Sequence, residues 1–154
     1  MFNIKFLTVV GLCLVQVACT KNSNTPVGPK DRLAEYVSKS FDVKSIQDRK
    51  VLEEYLTGPA KQRLQAWSDD QFEQAFVEVK RKKEKLAFKE IKSVSESEVN
   101  ITYEVSYTDK GKEHVALVTN RKVSTLVKEG DLWFIKDVKN LRELVEYQDE
   151  MSLP

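Results

Sequence analysis

The spacing of apolar residues changes from about four to two just past the middle of the chain. Before that point Leu33, Val37 and Phe41 recur every four residues, which predicts a helix that begins near Asp31. Beyond it, apolar and polar residues alternate from Val99 to Tyr107, which predicts a strand with one buried face. A helical half followed by a strand-forming half predicts an α+β domain, with the helices packed on one side of the sheet.

Further helices are predicted in the first half of the chain. Apolar residues within 51–56 form one helical face, and Gly58 is expected to end that helix. Pro59 either follows the helix or opens a short one over 60–66, since proline is tolerated in a first turn.

Ser68 and Gln71 have the spacing of a capping box, which predicts a helix from Ser68 to about Leu86. A basic run at the end of that helix comprises Lys80, Arg81, Lys82, Lys83 and Lys85. The run is either a contact for an anionic surface, such as lipid headgroups or an acidic partner, or a solvated helix end. We favour the solvated end.

Four strands are predicted in the second half, over residues 87–94, 99–107, 115–127 and 132–138. The tight turns that join them indicate an antiparallel meander. Asn140 followed by Glu143 is typical of a helix start, so a short C-terminal helix is predicted over residues 141–149.

This order of elements, with Trp133 and Ile135 in the last strand, resembles the nuclear-transport-factor-like, cystatin-like cone fold. The resemblance covers residues 31 to 138 and rests on topology, not on an invariant motif. It implies a curved sheet that wraps around the helices and often leaves a pocket. That fold includes enzymes, binding proteins, scaffolds and many small envelope lipoproteins, so fold alone decides no function.

Residues 1–18 are expected to be a signal peptide. Lys5 supplies a positive charge, and the 13 residues from Phe6 to Ala18 are uncharged and mostly apolar. That run is shorter than the roughly 20 residues of a membrane-spanning helix. It fits the apolar region of a secretory signal.

The run Gln16-Val17-Ala18-Cys19 resembles the lipobox of bacterial lipoproteins, with Gln16 where leucine is usual. The resemblance implies that Cys19 becomes the acylated N-terminus after cleavage, which would anchor the protein to the cell envelope. An ordinary secreted protein with a stray cysteine is the alternative. Thr20, in place of the aspartate that retains lipoproteins in the inner membrane, favours the outer membrane and a periplasmic domain.

Residues 19–30 are polar and contain two prolines, so they are expected to form a flexible tether between the lipid and the body. Residues 31–154 are then a single α+β domain. The predicted organisation is a signal peptide, a lipidated tether and one folded body.

The composition argues against several classes of partner. Lys and Arg number 25 and Asp and Glu 24, for a net charge of +1, so we expect no nucleic acid. Cys13 would leave with the signal peptide and Cys19 would be lipidated, which leaves one histidine, His114, so a zinc site would need mostly carboxylates. The five glycines are scattered, so no phosphate-binding loop is formed. We expect neither metal nor cofactor.

Isomerases and dehydratases of the resembled fold need a carboxylate or histidine base beside a tyrosine or acid. The candidates here are Tyr103, Tyr107, His114 and Asp137. Both tyrosines lie on the apolar side of a predicted strand, and His114 adjoins a charged turn. Asp137 has no visible partner. We therefore assign no catalytic residue.

We expect a non-catalytic, lipid-anchored envelope protein that binds a protein partner or a small apolar ligand in the sheet concavity. Apolar pocket walls without convergent titratable groups would favour it. The first alternative is a small isomerase-like or dehydratase-like enzyme, which predicts a buried carboxylate or histidine beside a tyrosine hydroxyl. The second is an envelope assembly scaffold, which predicts an exposed apolar patch and no pocket.

Overall fold

The helical and strand-forming halves separate as the apolar spacing predicts, in a computed structural model that describes residues 27–111 and 115–147. The helices are α1 (Pro29–Phe41), α2 (Arg49–Glu53), α3 (Gly58–Ala66) and α4 (Asp69–Phe72). The strands are β1 (Arg81–Ser95), β2 (Glu98–Asp109), β3 (Ala116–Glu129) and β4 (Leu132–Tyr147). Each strand pairs antiparallel with the next, in the order β1-β2-β3-β4. The α+β class is confirmed.

Local sequence signals set where the helices begin. Helix α1 starts at Pro29, so its first two residues come from the segment predicted as tether. Pro59 lies in the first turn of α3, as one of the two interpretations predicts. The capping box of α4 is confirmed: Ser68 Oγ accepts from the Gln71 amide at 3.1 Å, and Gln71 Oε1 accepts from the Ser68 amide at 2.9 Å.

The prediction of a helix up to Leu86 is wrong. Helix α4 gives way to a single π-helical turn over Glu73–Val77, and β1 begins at Arg81. The basic run therefore opens a strand and does not close a helix. The Cα partners of Arg81 and Lys83 are Asp109 and Tyr107 of β2, and this long-range pairing overrides the helix propensity of the segment.

The short C-terminal helix is also wrong, because β4 continues to Tyr147. Residues 140–147 pair with residues 116–122 of β3. Two register shifts along this ladder leave an extra residue in β4 each time. Such bulges bend a strand and increase its twist. The cross-strand partners decide the conformation of a segment whose own residues favour a helix.

The core lies between the helices and one side of the sheet. Along β2 every second residue is buried, and these residues face the helices. Phe72 is fully buried and stacks on Phe76 with ring centroids 4.9 Å apart. Other buried members of this core are Leu33, Val37, Leu52, Leu64, Ile101, Leu126 and Ile135.

The outer side of the sheet is polar. There Glu104 accepts from Arg121 and pairs with Lys89, with an N–O distance of 2.7 Å in each case.

The connection between α2 and α3 caps part of the free edge of β4. The Thr57 amide donates to the Ile135 carbonyl at 3.0 Å, and the Ile135 amide donates to the Tyr55 carbonyl at 2.8 Å. Leu56 and Ile135 thereby form a parallel bridge. This contact fastens the helical half to the first half of β4.

Candidate binding pocket

A pocket of about 300 Å³ lies between the helices and the sheet. It is partly open to solvent, and it is about twice the roughly 150 Å³ of an apolar cavity that holds benzene. Its helical wall consists of Tyr36, Val37, Ser40, Phe41, Val43, Trp67, Ala75, Phe76 and Val79. Its strand wall consists of Arg81, Tyr103, Val105, Tyr107, Asn120, Lys122 and Val138.

The two walls differ in chemistry. The helical wall is apolar except for the hydroxyls of Tyr36 and Ser40, and the Ser40 hydroxyl already donates to the Val37 carbonyl at 2.7 Å. The strand wall contains the two cations of the lining, Arg81 and Lys122, and its one side-chain amide, Asn120. The pocket is therefore amphipathic: its apolar surface comes from the helical side and its charge from the sheet.

Strand alternation places the polar groups in the pocket. Asn120 and Lys122 have the same parity on β3 as the buried Val118 and Leu126, so all four point to the helix-facing side. Polar residues at the inward-facing positions of a strand are the sequence signal that would have identified this site.

Asn120 is 4% exposed and only partly satisfied. Its Nδ2 donates to Tyr107 Oη at 3.3 Å, while no donor among the described residues reaches its buried Oδ1. A buried polar atom left unpaired costs roughly 1–3 kcal/mol, so a bound molecule or water that completes the pairing would be favoured there.

Lys122 is partly buried, and no carboxylate of the described residues forms an ion pair with it. Burial lowers the pKa of Lys122, the nearby Arg81 charge lowers it further, and Glu143 acts in the opposite direction. Glu143 pairs with Asn120 across the β3–β4 ladder but is exposed and does not line the pocket.

Arg81 is the second cation of the pocket. Its guanidinium lies over the Tyr107 ring, 5.3 Å from the centroid, and its Nε is 3.6 Å from Asp109 Oδ2. Asp109 offsets part of its charge, and the remaining N–H groups of Arg81 make no hydrogen bond within the described residues. The lining thus presents two cations and no carboxylate or histidine.

The two tyrosines considered as catalytic candidates are buried, as their side of β2 predicts. Tyr103 Oη accepts from Ser124 Oγ at 3.5 Å, and burial raises the pKa of both Tyr103 and Tyr107. Tyr36, facing them from α1, is partly buried, and loss of solvent around its hydroxyl raises its pKa to about 12. Within the lining these hydroxyls have Lys122 and Arg81 as their charged neighbours.

The other two candidates are His114 and Asp137. His114 is outside the described residues. The expectation that Asp137 lacks a partner is wrong, since Arg63 Nη2 is 2.6 Å from its Oδ1. This ion pair joins α3 to β4 and lowers the pKa of Asp137. Asp137 does not line the pocket.

The basic run does not form one patch. Lys83 Nζ donates to Ser38 Oγ on α1, Lys82 pairs with Glu84 at 3.4 Å, and Arg81 lines the pocket. Strand alternation therefore divides the cations between the two sides of β1. Lys80 and Lys85 are exposed.

Cys19 and the predicted signal peptide lie outside the described residues. No family model matches the chain, and no curated protein matches it either. Within residues 27–111 and 115–147, no group of three or more His, Cys, Asp or Glu residues is arranged to hold a metal ion.

The described part of the chain contains no helix that is both long enough and apolar enough to span a membrane.

Proposed function

We propose that the chain is a lipid-anchored lipoprotein of the cell envelope whose domain binds a small molecule non-catalytically. The observation that carries the binding function is the 300 Å³ amphipathic pocket between α1 and the sheet. Its volume is at the lower end of the ~300–1,000 Å³ that small-molecule sites occupy. The anchor is supported by Cys19, which follows the apolar run from Phe6 to Ala18.

Two finer statements belong to the same proposal. The cone fold is supported by the order of helices before a four-stranded meander, with a pocket between the two layers. Attachment to the outer membrane, with the domain in the periplasm, is supported by Thr20 after Cys19.

The lining chemistry favours a binding protein over an isomerase or dehydratase. The proposed enzyme would need a carboxylate or histidine that exchanges a proton near a tyrosine hydroxyl. Here Tyr103 accepts from the Ser124 hydroxyl, and the other polar groups of the lining are hydroxyls, an amide, an arginine and a lysine. These groups are suited to hold and orient a ligand.

The anchor is tested by the intact mass of the full chain, expressed in a lipoprotein-processing bacterium and extracted from its membranes. We expect a product that starts at Cys19 and carries added acyl mass. Cys19→Ala should lose both that mass and membrane association. Cys13→Ala is the matched control, because this cysteine leaves with the signal peptide and its loss should change nothing. An unacylated soluble product from the wild type would refute the anchor.

Ligand binding is tested by identifying small molecules that copurify with the full chain. Ser40→Phe places a ring on the pocket side of α1, and Lys39→Phe places the same ring on the exposed side. A molecule bound in the pocket should be retained by wild type and Lys39→Phe and lost from Ser40→Phe. Equal retention by all three proteins would place the molecule outside the pocket and contradict the proposal.

A further inference from the structure

We propose that the pocket selects an amphipathic anion: an apolar body that ends in a carboxylate or a phosphate monoester, held by Lys122, Arg81 and Asn120. This inference depends on the proposed binding function and specifies its ligand class. An uncharged apolar molecule would fill the volume but leave the polar groups of the strand wall without partners.

The first argument is the state of the two cations. Lys122 is a partly buried ammonium without an ion-pair partner among the described residues, and its charge and that of Arg81 repel each other. Arg81 is exposed, so the desolvation cost falls on Lys122, whose half-buried charge is costly unless it is paired. An anion between the two cations would relieve both the desolvation and the repulsion.

The second argument is the Asn120 amide. With the orientation described, Nδ2 donates to Tyr107 Oη and Oδ1 is unpaired. Rotation of the amide by 180° exchanges the two atoms, so that the Tyr107 hydroxyl donates to Oδ1 and Nδ2 is free to donate to a ligand. That position is closed to solvent in the structure, so an anionic head would accept this N–H once the pocket wall shifts to admit it.

The third argument is the distribution of apolar surface. The helical wall presents Phe41, Trp67 and Phe76, among other apolar side chains, opposite the charged strand wall. A free inorganic anion would pair with the cations but leave this surface in contact with water. The combination therefore fits a single molecule with a charged head and an apolar body. Asp109 pairs with Arg81 and the charge of Glu143 acts on Lys122, and both carboxylates lie outside the lining, where they moderate the positive potential without occupying the head site.

The test uses the full-length protein in phosphatidylcholine nanodiscs, titrated calorimetrically with octanoate, octyl phosphate and 1-octanol at neutral pH. The three probes share one chain and differ in the head. We expect both anions to bind about tenfold or more tightly than octanol, which is the effect of one charge-assisted hydrogen bond. The ratio of octanoate to octyl phosphate distinguishes a carboxylate from a phosphate head.

Lys122→Met keeps the length of the side chain and removes the charge. It should weaken binding of the anions about tenfold and that of octanol less than twofold. Lys128→Met is the matched control, since Lys128 is an exposed lysine of the same strand outside the pocket. Partition of the probes into the nanodisc is the same for all three proteins. Arg81→Gln provides a second variant with the same expected direction.

The outcomes separate this inference from the proposed function. Equal affinity for octanol and the anions, unchanged in Lys122→Met, would overturn the anionic class and leave a binding pocket. Failure of all three probes to bind wild type would overturn the binding function and this inference with it.

A second inference rests on a different observation, the outer edge of β4. Its first half is capped by the Leu56–Ile135 bridge. Beyond it, in the described part of the chain, no strand or bridge pairs with the outer edge of residues 139–147. This segment carries the exposed apolar residues Leu141, Leu144, Val145 and Tyr147. Such an edge is a template for pairing with another strand.

We infer that the partner is a second copy of this chain, because the segment is self-complementary. Antiparallel pairing about Leu144 places Arg142 opposite Glu146 of the second copy, and Glu146 opposite Arg142. Arg142 and Glu146 each pair with an outward-facing residue of β3, so both ion pairs form on the outer face of the sheet. Pairing centred on Glu143 would place the Glu143 carboxylates of the two copies opposite each other. Pairing centred on Val145 would place Glu146 opposite Leu144 of the second copy. Neither register forms the two ion pairs.

Analytical ultracentrifugation of the full chain in detergent tests this interface. We expect a dimer for wild type. For Arg142→Glu, in which like charges face each other, we expect a dimer dissociation constant about tenfold higher. Adding Glu146→Arg to that variant should restore the dimer. Arg142 and Glu146 are exposed, so these substitutions should change the urea midpoint of unfolding little at concentrations where the protein is monomeric. A monomeric wild type, or a double variant that stays as weak as the single one, would refute the pairing.

Discussion

At the scale of single residues, Lys122 connects ligand binding to stability. Its ammonium is partly removed from water and has no ion-pair partner among the described residues. An unpaired charge that is partly removed from water lowers the unfolding free energy of the free protein. A bound ligand that pairs with the charge offsets this loss. Functional sites commonly contain residues that reduce stability in this way.

We therefore predict that Lys122→Met, which should weaken ligand binding, stabilises the free protein. The expected result is a higher urea midpoint at neutral pH, by up to about 1–2 kcal/mol in unfolding free energy. Lys128→Met, with an exposed ammonium, should stay within about 0.5 kcal/mol of wild type. A lower midpoint for Lys122→Met would mean that the ammonium has a stabilising partner, and would count against the unpaired state on which the ligand class depends.

Tyr36 gives a prediction at alkaline pH. Burial raises its pKa from 10.0 to about 12, so between these values the folded protein keeps a proton that the unfolded chain has lost. The unfolding free energy should therefore be unaffected by Tyr36 below pH 10 and fall as the pH rises to 12, by up to about 2–3 kcal/mol.

The measurement for Tyr36 is urea unfolding at several pH values above 9 for wild type and Tyr36→Phe. Other groups titrate in this range in both proteins, so the difference between the two slopes isolates Tyr36. Parallel slopes would mean that the Tyr36 hydroxyl ionises equally easily in the folded and unfolded chains.

At the scale of elements, the sequence predicted those segments whose local pattern and packing agree. Helix α1 and strands β2 and β3 have apolar periods that match their buried faces. The start of β1 and the end of β4 do not, because their residues are mostly exposed and include many good helix formers. Their strand conformation depends on pairing with β2 and β3, which no local window contains.

The pocket was predictable in outline only. The resemblance to the cone fold implies that a pocket is often present between helices and sheet, and strand alternation predicts that Tyr103 and Tyr107 lie on the apolar side of β2. Asn120 and Lys122 are two residues apart on β3, so their shared inward side can be read from the sequence. Arg81 lies on β1 and is brought near them only through pairing with β2. In the sequence Arg81 is part of a basic run. Its role as lining depends on that run being a strand.

The capping box of α4 supports one wall of the pocket and can be tested directly. Ser68→Ala removes the acceptor for the Gln71 amide and should destabilise the protein by about 1 kcal/mol. Ser93→Ala is the control, because Ser93 is exposed on β1 and its side chain makes no hydrogen bond with the described residues. The measurement is the urea midpoint of unfolding, compared between variants whose unfolding free energy depends equally steeply on urea concentration. An equal, small change in both variants would show that the box contributes nothing in this fold.

At the scale of the whole molecule, the helical and sheet halves are joined by contacts of different kinds. The apolar core contains residues from both halves, and the Leu56–Ile135 bridge adds backbone pairing. The Arg63–Asp137 ion pair fastens α3 to β4 at the surface. Because the pocket lies between the two halves, its shape depends on all three.

The ion pair makes stability depend on pH in the acid range. Hydrogen bonding and charge from Arg63 lower the pKa of Asp137 below its ordinary 3.8, and hydrogen bonds from Lys44 and Ser45 lower that of Asp48. Near and below pH 4 the unfolded chain therefore binds more protons than the folded one. The stability that these carboxylates contribute is complete well above pH 4 and is lost as the pH falls through their lowered folded-state pKa values.

We accordingly predict that Asp137→Asn lowers the unfolding free energy at neutral pH and has a shallower loss of stability between pH 5 and pH 2 than wild type. Asp131→Asn is the control, because Asp131 is exposed in the β3–β4 turn and forms no ion pair among the described residues; its pH dependence should match that of wild type. Urea unfolding of the three proteins at several pH values gives the comparison. If Asp137→Asn lost stability as steeply as wild type, the carboxylate would be protonated equally easily in both states, and the α3–β4 ion pair would not contribute to joining the two halves.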